Sequence, residues 1–460
     1  MAGRGGDMEM ENGIRAGISN GIQNGSRAGI RIQAVIFLML GMLCCGCGNG
    51  KSGNVPEETY VDLMQETEAE GAAAGSGAEQ GEPEEVFCAD TADFGIRLLQ
   101  ENLKRGDGRN VIVSPAAVLD VLAVAANGAE GDTLSQINSV IAENQDMEQL
   151  NRNRKAWADS LGGTGQAGLY LADSVWLKQT DEAFSVKKEF LEKNASFYGM
   201  DLYGAAFDTD TVEDMNNWVN EKTGGRIPRI LDRIPEEAVM YLLNTASFEA
   251  EWERTYKEYE IKSGTFTGAS GEKKTVPFLY SGESVYIEGE NAVGFVKPYK
   301  EDYYFAAVLP AEGVRPEEYA ASLDGEGFRS MLAEAKTEKI VKTGMPKFEA
   351  AYEVRLNDIL RAMGIEDAFD RERADFSGIG TYADGNLFID EILHKTYIAV
   401  NELGTEATAA TEMSMDAEAA EEDSGLEIYY VYLNRPFIYA IVEDRTNVPV
   451  FIGVVNEVGE

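Results

Sequence analysis

Only one histidine, His394, is available in this chain for proton transfer near neutral pH. Any Ser–His or Cys–His relay would have to run through it. No Gly-x-Ser-x-Gly elbow, phosphate-binding glycine loop or spaced Cys/His ligand set accompanies it. Asp208-x-Asp210 is too short for a calcium loop, lacking both the glycine and the distal glutamate. The Cys-x-x-Cys pair Cys44 and Cys47 has no further ligands nearby, and the Gly-x-Gly at Gly75 and Gly77 has no strand before it. A lone histidine beside strand residues reads as a hydrogen-bonded core side chain. The expectation is no catalysis, no metal and no cofactor.

One stretch has an unusual order. Glu402 to Gly425 reads ELGTEATAATEMSMDAEAAEEDSG. Every second residue from Thr405 (Thr405, Ala407, Ala409, Thr411, Met413, Met415) is small or apolar. The interleaved set (Glu406, Thr408, Ala410, Glu412, Ser414, Asp416) is mostly polar or charged. That is the period-2 pattern of a strand with one buried and one wet face. The stretch is also rich in Ala, Glu and Ser and runs into an acidic tail, so it reads equally as an exposed loop. The two readings agree if the segment is a loop in one state and a strand in another.

The elements around it come from a 460-residue chain, enough for one large domain or two modest ones. A hydrophobic fraction of 44% suits a globular core, while a formal charge of −40 argues against nucleic acid and against anionic lipid as partners. An extracellular or bacterial cell-surface protein fits that charge. Arg27 and Arg31 precede the apolar run Ala34 to Leu43, which has signal-peptide length and is too short to span a bilayer. The Cys44-Cys45-Gly46-Cys47 end resembles the lipobox of bacterial lipoproteins, although a cysteine stands where leucine is usual. Residues 1–46 are thus expected to be a signal peptide, with Cys47, or alternatively Cys45, lipidated. Residues 47–88 read as a disordered acidic Gly/Ala/Glu tether. Only Cys88 would then be left to the folded part, so no internal disulfide can form.

From Ala89 the pattern turns globular. Phe94, Leu98, Leu99 and Leu103 make a helical stripe. Ser114 and Pro115 supply an N-cap and first residue for a helix that is apolar nearly all round and stops at Gly128. Leu169 to Leu177 reads as a strand, and Thr211-x-x-Asp214 as a helix start. Val239 to Phe248 is an apolar run with Asn244 in its middle, and a buried amide there needs a polar network. Lys339 to Phe348 reads as one strand, and Val354, Leu356, Ile359, Leu360 and Met363 as a helix. Three apolar runs close the chain (428–433, 437–442, 448–454). Helices early and strands late predict an α+β domain with large antiparallel sheets.

These residues, taken in order, resemble a serpin from about Ala89 to Val455. Asn110-Val-Ile-Val-Ser114-Pro115 resembles the family's helix-B entrance, and Asn216-x-Trp218 with Thr223, Gly225 and Ile227 its N-x-W…T-x-G-x-I motif. Leu243-Asn244-Thr-Ala-Ser-Phe248 with Trp252 is similar to the central strand of the main sheet. Pro346-Lys347-Phe348, Met363-Gly364-Ile365, Ala374-Asp375-Phe376-Ser377-Gly378, Arg435-Pro436-Phe437 and Phe451-Ile452-Gly453 match further family motifs.

The resemblance implies a metastable fold of three β-sheets, about nine helices and an exposed reactive-centre loop, here about 402–425, within a serpin domain at 89–460. Glu402, Gly404, Thr405, Glu406, Ala407, Thr408, Ala409 and Ala410 would be its hinge. It implies suicide inhibition. A serine protease, or a cysteine protease, cleaves the loop and is trapped in a covalent complex when the loop inserts into the main sheet. The scissile bond falls at Glu418-Ala419 by counting from the hinge, with Met415-Asp416, Ala417-Glu418 and a site near Gly425 as alternatives. His394 would bond Asn244 near Ser114 in the shutter, thinned because Ala117 replaces a serine, and Trp252 would mark the breach. A monomer is expected, attached to membrane only through a lipid anchor. The rival expectation is a non-inhibitory serpin acting as a cell-surface binding protein.

Overall fold

The computed structural model describes residues 59–65, 82–106, 108–160, 168–179, 185–300, 302–382, 385–405 and 427–459. Among them are nine α-helices: α1 (Glu85–Leu103), α2 (Pro115–Gly128), α3 (Gly131–Ile141), α4 (Met147–Ser160), α5 (Lys188–Phe197), α6 (Thr209–Lys222), α7 (Pro316–Ala320), α8 (Gly325–Ala333) and α9 (Asn357–Met363). The main sheet contains β1 (Val61–Asp62), β3 (Leu169–Lys178), β5 (Asp201–Ala205), β6 (Met240–Phe248), β7 (Ala250–Glu251), β14 (Phe348–Arg355), β16 (Glu391–Val400) and β17 (Gly404–Thr405). A six-stranded sheet is built from β2 (Val111–Val113), β10 (Val285–Gly289), β11 (Ala292–Pro298), β12 (Tyr303–Pro310), β19 (Phe437–Glu443) and β20 (Pro449–Val455). Four strands, β8 (Ile261–Thr267), β9 (Lys273–Glu283), β13 (Ile340–Pro346) and β18 (Ile428–Tyr432), form a third sheet. A two-stranded ribbon joins β4 (Ser185–Val186) to β15 (Gly380–Thr381).

The expected α+β class and serpin architecture are what the chain adopts. The six-stranded sheet is antiparallel throughout, but the main and four-stranded sheets are mixed, because β6 runs parallel to β16, β3 to β5 and β13 to β18. All nine residues of β6 are buried. Its even positions, such as Leu242 and Ala246, join the main core, and its odd positions, Tyr241 and Leu243, pack with Met215, Trp218 and Val219 of α6. A strand covered on both faces has no room for alternation, which is why it reads as a continuous apolar run.

Four boundaries differ from the sequence reading. The tether is interrupted by structure: α1 begins at Glu85, and β1 pairs antiparallel with β5 at the sheet edge. Tyr60 sits edge-on to Trp176 at 5.4 Å and to Tyr203 at 4.7 Å, contacts between distant residues that local composition does not reveal. The run through Lys347 is two strands in two sheets, since β13 pairs with β9 and β14 with β16. Val354 therefore belongs to a strand, and the helix starts at Asn357. The cap of α6 is Asp208, whose carboxylate accepts from the amides of Asp210 and Thr211, so Thr211 lies inside the helix.

Candidate functional site

A row of side chains crosses the centre of the main sheet. His394 on β16 is the register partner of Asn244 on β6, and Asn244 is the partner of Asp173 on β3. Directly paired residues share a face, so all three point toward α2. Ser114 caps α2 through the Ala117 amide at 3.3 Å and donates its hydroxyl to the Val450 carbonyl at 2.8 Å. Its own backbone N–H donates to His394 Nε2 at 3.1 Å. That leaves the imidazole proton on Nδ1, where it donates to Asn244 Oδ1. The Asn244 amide nitrogen then donates to Asp173 Oδ1. Ser114, Asn244 and His394 are each 0% exposed. Burial lowers the His394 pKa to about 3, and burial, with Asp120 next, pushes that of Asp173 up. A neutral ring sealed in this way cannot meet a substrate.

The strongest consequence is topological. The bond from His394 to Asn244 joins β16 to β6, a parallel pair at the centre of the sheet. A strand entering between these two would have to break it.

The second cluster lies where β16 ends. After Val400 the chain turns back on itself, and β17 pairs antiparallel with β16 (Val400 opposite Thr405) and with β7. Asn401 Oδ1 accepts from the Leu403 amide at 2.8 Å and closes the turn. Trp252 clasps it from below: its indole N–H donates to the Asn401 carbonyl and its backbone N–H to the Leu403 carbonyl, both at 2.9 Å. The indole stacks on Tyr299 at 4.4 Å, and the Tyr299 hydroxyl meets Thr405 Oγ1 at 2.7 Å. Gly404 has to be glycine, since a Cβ would stand 2.0 Å from the Ala250 carbonyl oxygen. Glu402 pairs with Lys347 at 2.5 Å. Burial is the largest influence and opposes its charge, but the Lys347 hydrogen bond, a backbone hydrogen bond and the Lys347 charge together outweigh it and hold the carboxyl below its ordinary range.

Ser114, Asn244 and His394 are thus brought together, and Trp252, Glu402, Gly404 and Thr405 meet at the second cluster. Asp173, Asn401 and Tyr299 complete these clusters and were not singled out from the sequence, while Lys347 was noted there only as part of a family motif. Ala117 still contributes its amide to Ser114. Glu406, Ala407, Thr408, Ala409, Ala410, Met415, Ala417, Glu418, Ala419 and Cys47 lie outside the described residues. Cys88 is buried, and burial lifts its thiol to about 11, which removes it as a nucleophile. No group of metal-ligating side chains occurs among the described residues.

Comparison with known proteins agrees with this geometry. An uncharacterized serpin-like protein of Thermococcus kodakarensis is 28% identical over 355 residues, covering 76% of this chain and 80% of that protein. The leukocyte elastase inhibitor of Xenopus tropicalis is 28% identical over 78% of this chain and 95% of its own length. The crystal structure of the thermophilic serpin tengpin in its native state superposes with a TM-score of 0.79 at 39% identity, covering 87% of this chain and all of that one. The family model for serpins (serine protease inhibitors) matches residues 89–458. With the polar row at the centre of its main sheet and the clasped turn beyond β16, the chain belongs to the serpin family.

Proposed function

We propose that this serpin inhibits a serine protease, or a cysteine protease, by offering residues 406–426 as a suicide substrate. The observation that carries this reading is the hairpin of β16 and β17. Val400 lies opposite Thr405, so the same register continued would set Ala407 against Ile398, Ala409 against Thr396 and Thr411 against His394. The small set would then share the core-facing side of Val400, Ile398 and Thr396. The acidic set, Glu406 and Glu412 included, would face the other way. Thr411 would arrive beside His394 as Asn244 is displaced, so a hydroxyl could take over the bond that the new strand breaks.

Cleavage at Glu418-Ala419 frees that strand. Fourteen inserted residues at ~3.3 Å each carry an acyl-linked protease ~46 Å along the sheet, which deforms its catalytic geometry before water can release it. Glu402, Gly404 and Thr405 anchor the hinge; Glu406 to Ala410 would be the first of the loop residues to insert. The inhibitor contributes no catalytic group. The acidic loop disfavours proteases with acidic clefts. The signal-like N-terminus supports a location outside a bacterial cell, with Cys47, or alternatively Cys45, as the lipid anchor.

The test is incubation with elastase-like, chymotrypsin-like, trypsin-like and Glu-specific proteases, followed by denaturing electrophoresis and the mass of the released peptide. A denaturation-resistant complex is expected, and the peptide mass assigns the bond. Clean cleavage without complex throughout the panel would refute inhibition and favour a binding role at the cell surface.

A further inference from the structure

Among the described residues, the four-stranded sheet leaves its outer face exposed along β18. In register, Ile428, Tyr430 and Tyr432 of β18 lie beside Ile340, Lys342 and Gly344 of β13, and the latter two beside Gly282 and Tyr280 of β9. The opposite face carries Val431, Val341, Met345 and Leu279, all buried in the core. On the outer face the rings form a ladder. The exposed Tyr430 and Tyr432 are 6.3 Å apart, Tyr432 is 6.3 Å from the half-buried Tyr280, and Tyr280 lies 6.1 Å from Phe278, which is buried and closes the row at its inner end. Glycine makes room for it: a Cβ on Gly344 would stand 2.8 Å from the Tyr432 ring and 2.9 Å from that of Tyr280. Tyr430 is 63% exposed, Ile428 42% and Tyr432 40%. Single exposed apolar residues are ordinary, but a contiguous aromatic row on a sheet face marks a contact surface.

We propose that this aromatic face is a second docking surface for the body of the target protease, an inference that rests on the inhibitory reading above. Two features point to that occupant. The first is reach. The loop leaves at Thr405 and re-enters the fold at Glu427, one residue before β18. A protease engaged at Glu418-Ala419 is tethered to Ile428 by residues 419–427, at most about 30 Å of extended chain. A protease of about 220 residues has a radius of gyration near 17 Å, so its body is wider than this tether and must overhang the face. The second is chemistry. Tyrosine rings are favoured anchors at protein interfaces. Lys262 and Lys342, on the same face by register, give it a basic edge in a chain of net charge −40. The face therefore suits a protease whose cleft is not acidic but whose surface beside the cleft is apolar with acidic residues at its edge.

The experiment compares the rate of loop cleavage in the intact chain with that in a Tyr430→Ser/Tyr432→Ser variant, across the same four protease classes. A synthetic peptide spanning 402–427 serves as a substrate that lacks the ladder. For the protease that cleaves the wild type fastest, the double variant should be cleaved at least tenfold more slowly, with peptide cleavage as reference and the unfolding temperature unchanged. Tyr430→Ser alone, at the most exposed ring, should give about threefold. Rates within twofold of wild type for every protease would overturn the proposal. Because cleavage is read rather than trapping, a wild type that forms no stable complex refutes inhibition while the rates still decide the docking surface. Sedimentation closes the remaining route: a wild-type dimer made monomeric by the variant, with cleavage rates unaltered, would assign the face to a second copy of this chain and overturn the proposal.

Discussion

Two buried joints in this molecule are made in opposite ways. Where β12 meets β19 in the six-stranded sheet, every residue of both strands is buried, and Phe305, Val308, Ile438 and Ile441 join by packing. Where β6 meets β16 in the main sheet, β6 is buried throughout while β16 alternates with half-buried residues, and the side chains crossing the joint are His394 and Asn244, extended by Asp173 on one side and Ser114 on the other. Packed apolar surface has no substitute partner; separating it exposes surface or opens a cavity. A hydrogen bond can be passed to any new group of matching polarity. On the proposed mechanism, the difference lets one domain hold a rigid body and a joint that would admit another strand.

The sharpest way to break the comparison is to make the incoming strand unfit. Ala407→Arg should abolish trapping while leaving cleavage intact, because its guanidinium would face the core on insertion. Denaturing electrophoresis would then show cleaved chain and no complex. Position 407 is the better choice over Thr405, which is already buried against Tyr299, so that a charge at 405 would also unsettle the uncleaved chain.

Next in size is Phe451→Ala, in the packed sheet. Phe451 is fully buried and faces Phe248 at 6.3 Å. Its truncation should cost about 3–5 kcal/mol of stability by denaturant titration, without altering the ratio of trapped to merely cleaved protein. Asn244→Ala, at the seam, should cost less, about 1–3 kcal/mol, by leaving the His394 N–H and the Asp173 carboxylate without their partner. Unlike the phenylalanine change, it should raise hydrogen exchange selectively along β6 and β16.

The smallest effect separates the seam by pH. The folded His394 pKa lies near 3, below the ordinary histidine value, so the unfolded chain takes up a proton first as pH falls. Its contribution to stability is therefore full above about pH 6.5 and is lost as pH drops toward 3. Between pH 6.5 and 5.5 this should amount to about 1 kcal/mol. Burial raises Asp390 to about 6, a shift of opposite sign: as pH falls through that value the folded form gains. The measurement is thus the difference between wild type and His394→Gln, in which the Asp390 contribution cancels. A difference that does not change with pH would show that His394 is not held neutral.

The seam was legible in part. Ser114 and Pro115 announce a capped helix, an asparagine inside an apolar run announces a buried network, and serpin resemblance joined them to His394. Asp173 stayed hidden because it is one of 80 acidic residues, and only the register of β3 against β6 sets it beside Asn244. The change of sheet at Lys347 was hidden because both sides of it are strand-like, and what separates them is which neighbour accepts their hydrogen bonds. The edge strand at Val61 was hidden because two paired residues leave no period to read; its place is held by Tyr60 between Trp176 and Tyr203. Patterns that repeat along the chain could be read, and pairings across it could not.

The most direct test of the seam is the unfolding temperature of the chain before and after a single cut within residues 411–420 by a protease that does not become trapped. If the freed segment enters between β6 and β16 and takes the place of the His394–Asn244 bond, the cut chain should unfold well above the intact one, by 20 °C or more at roughly 2–4 °C per kcal/mol for a large domain. An unfolding temperature that stays the same or falls after the cut would contradict strand insertion and, with it, the account of the seam as a joint made to be exchanged.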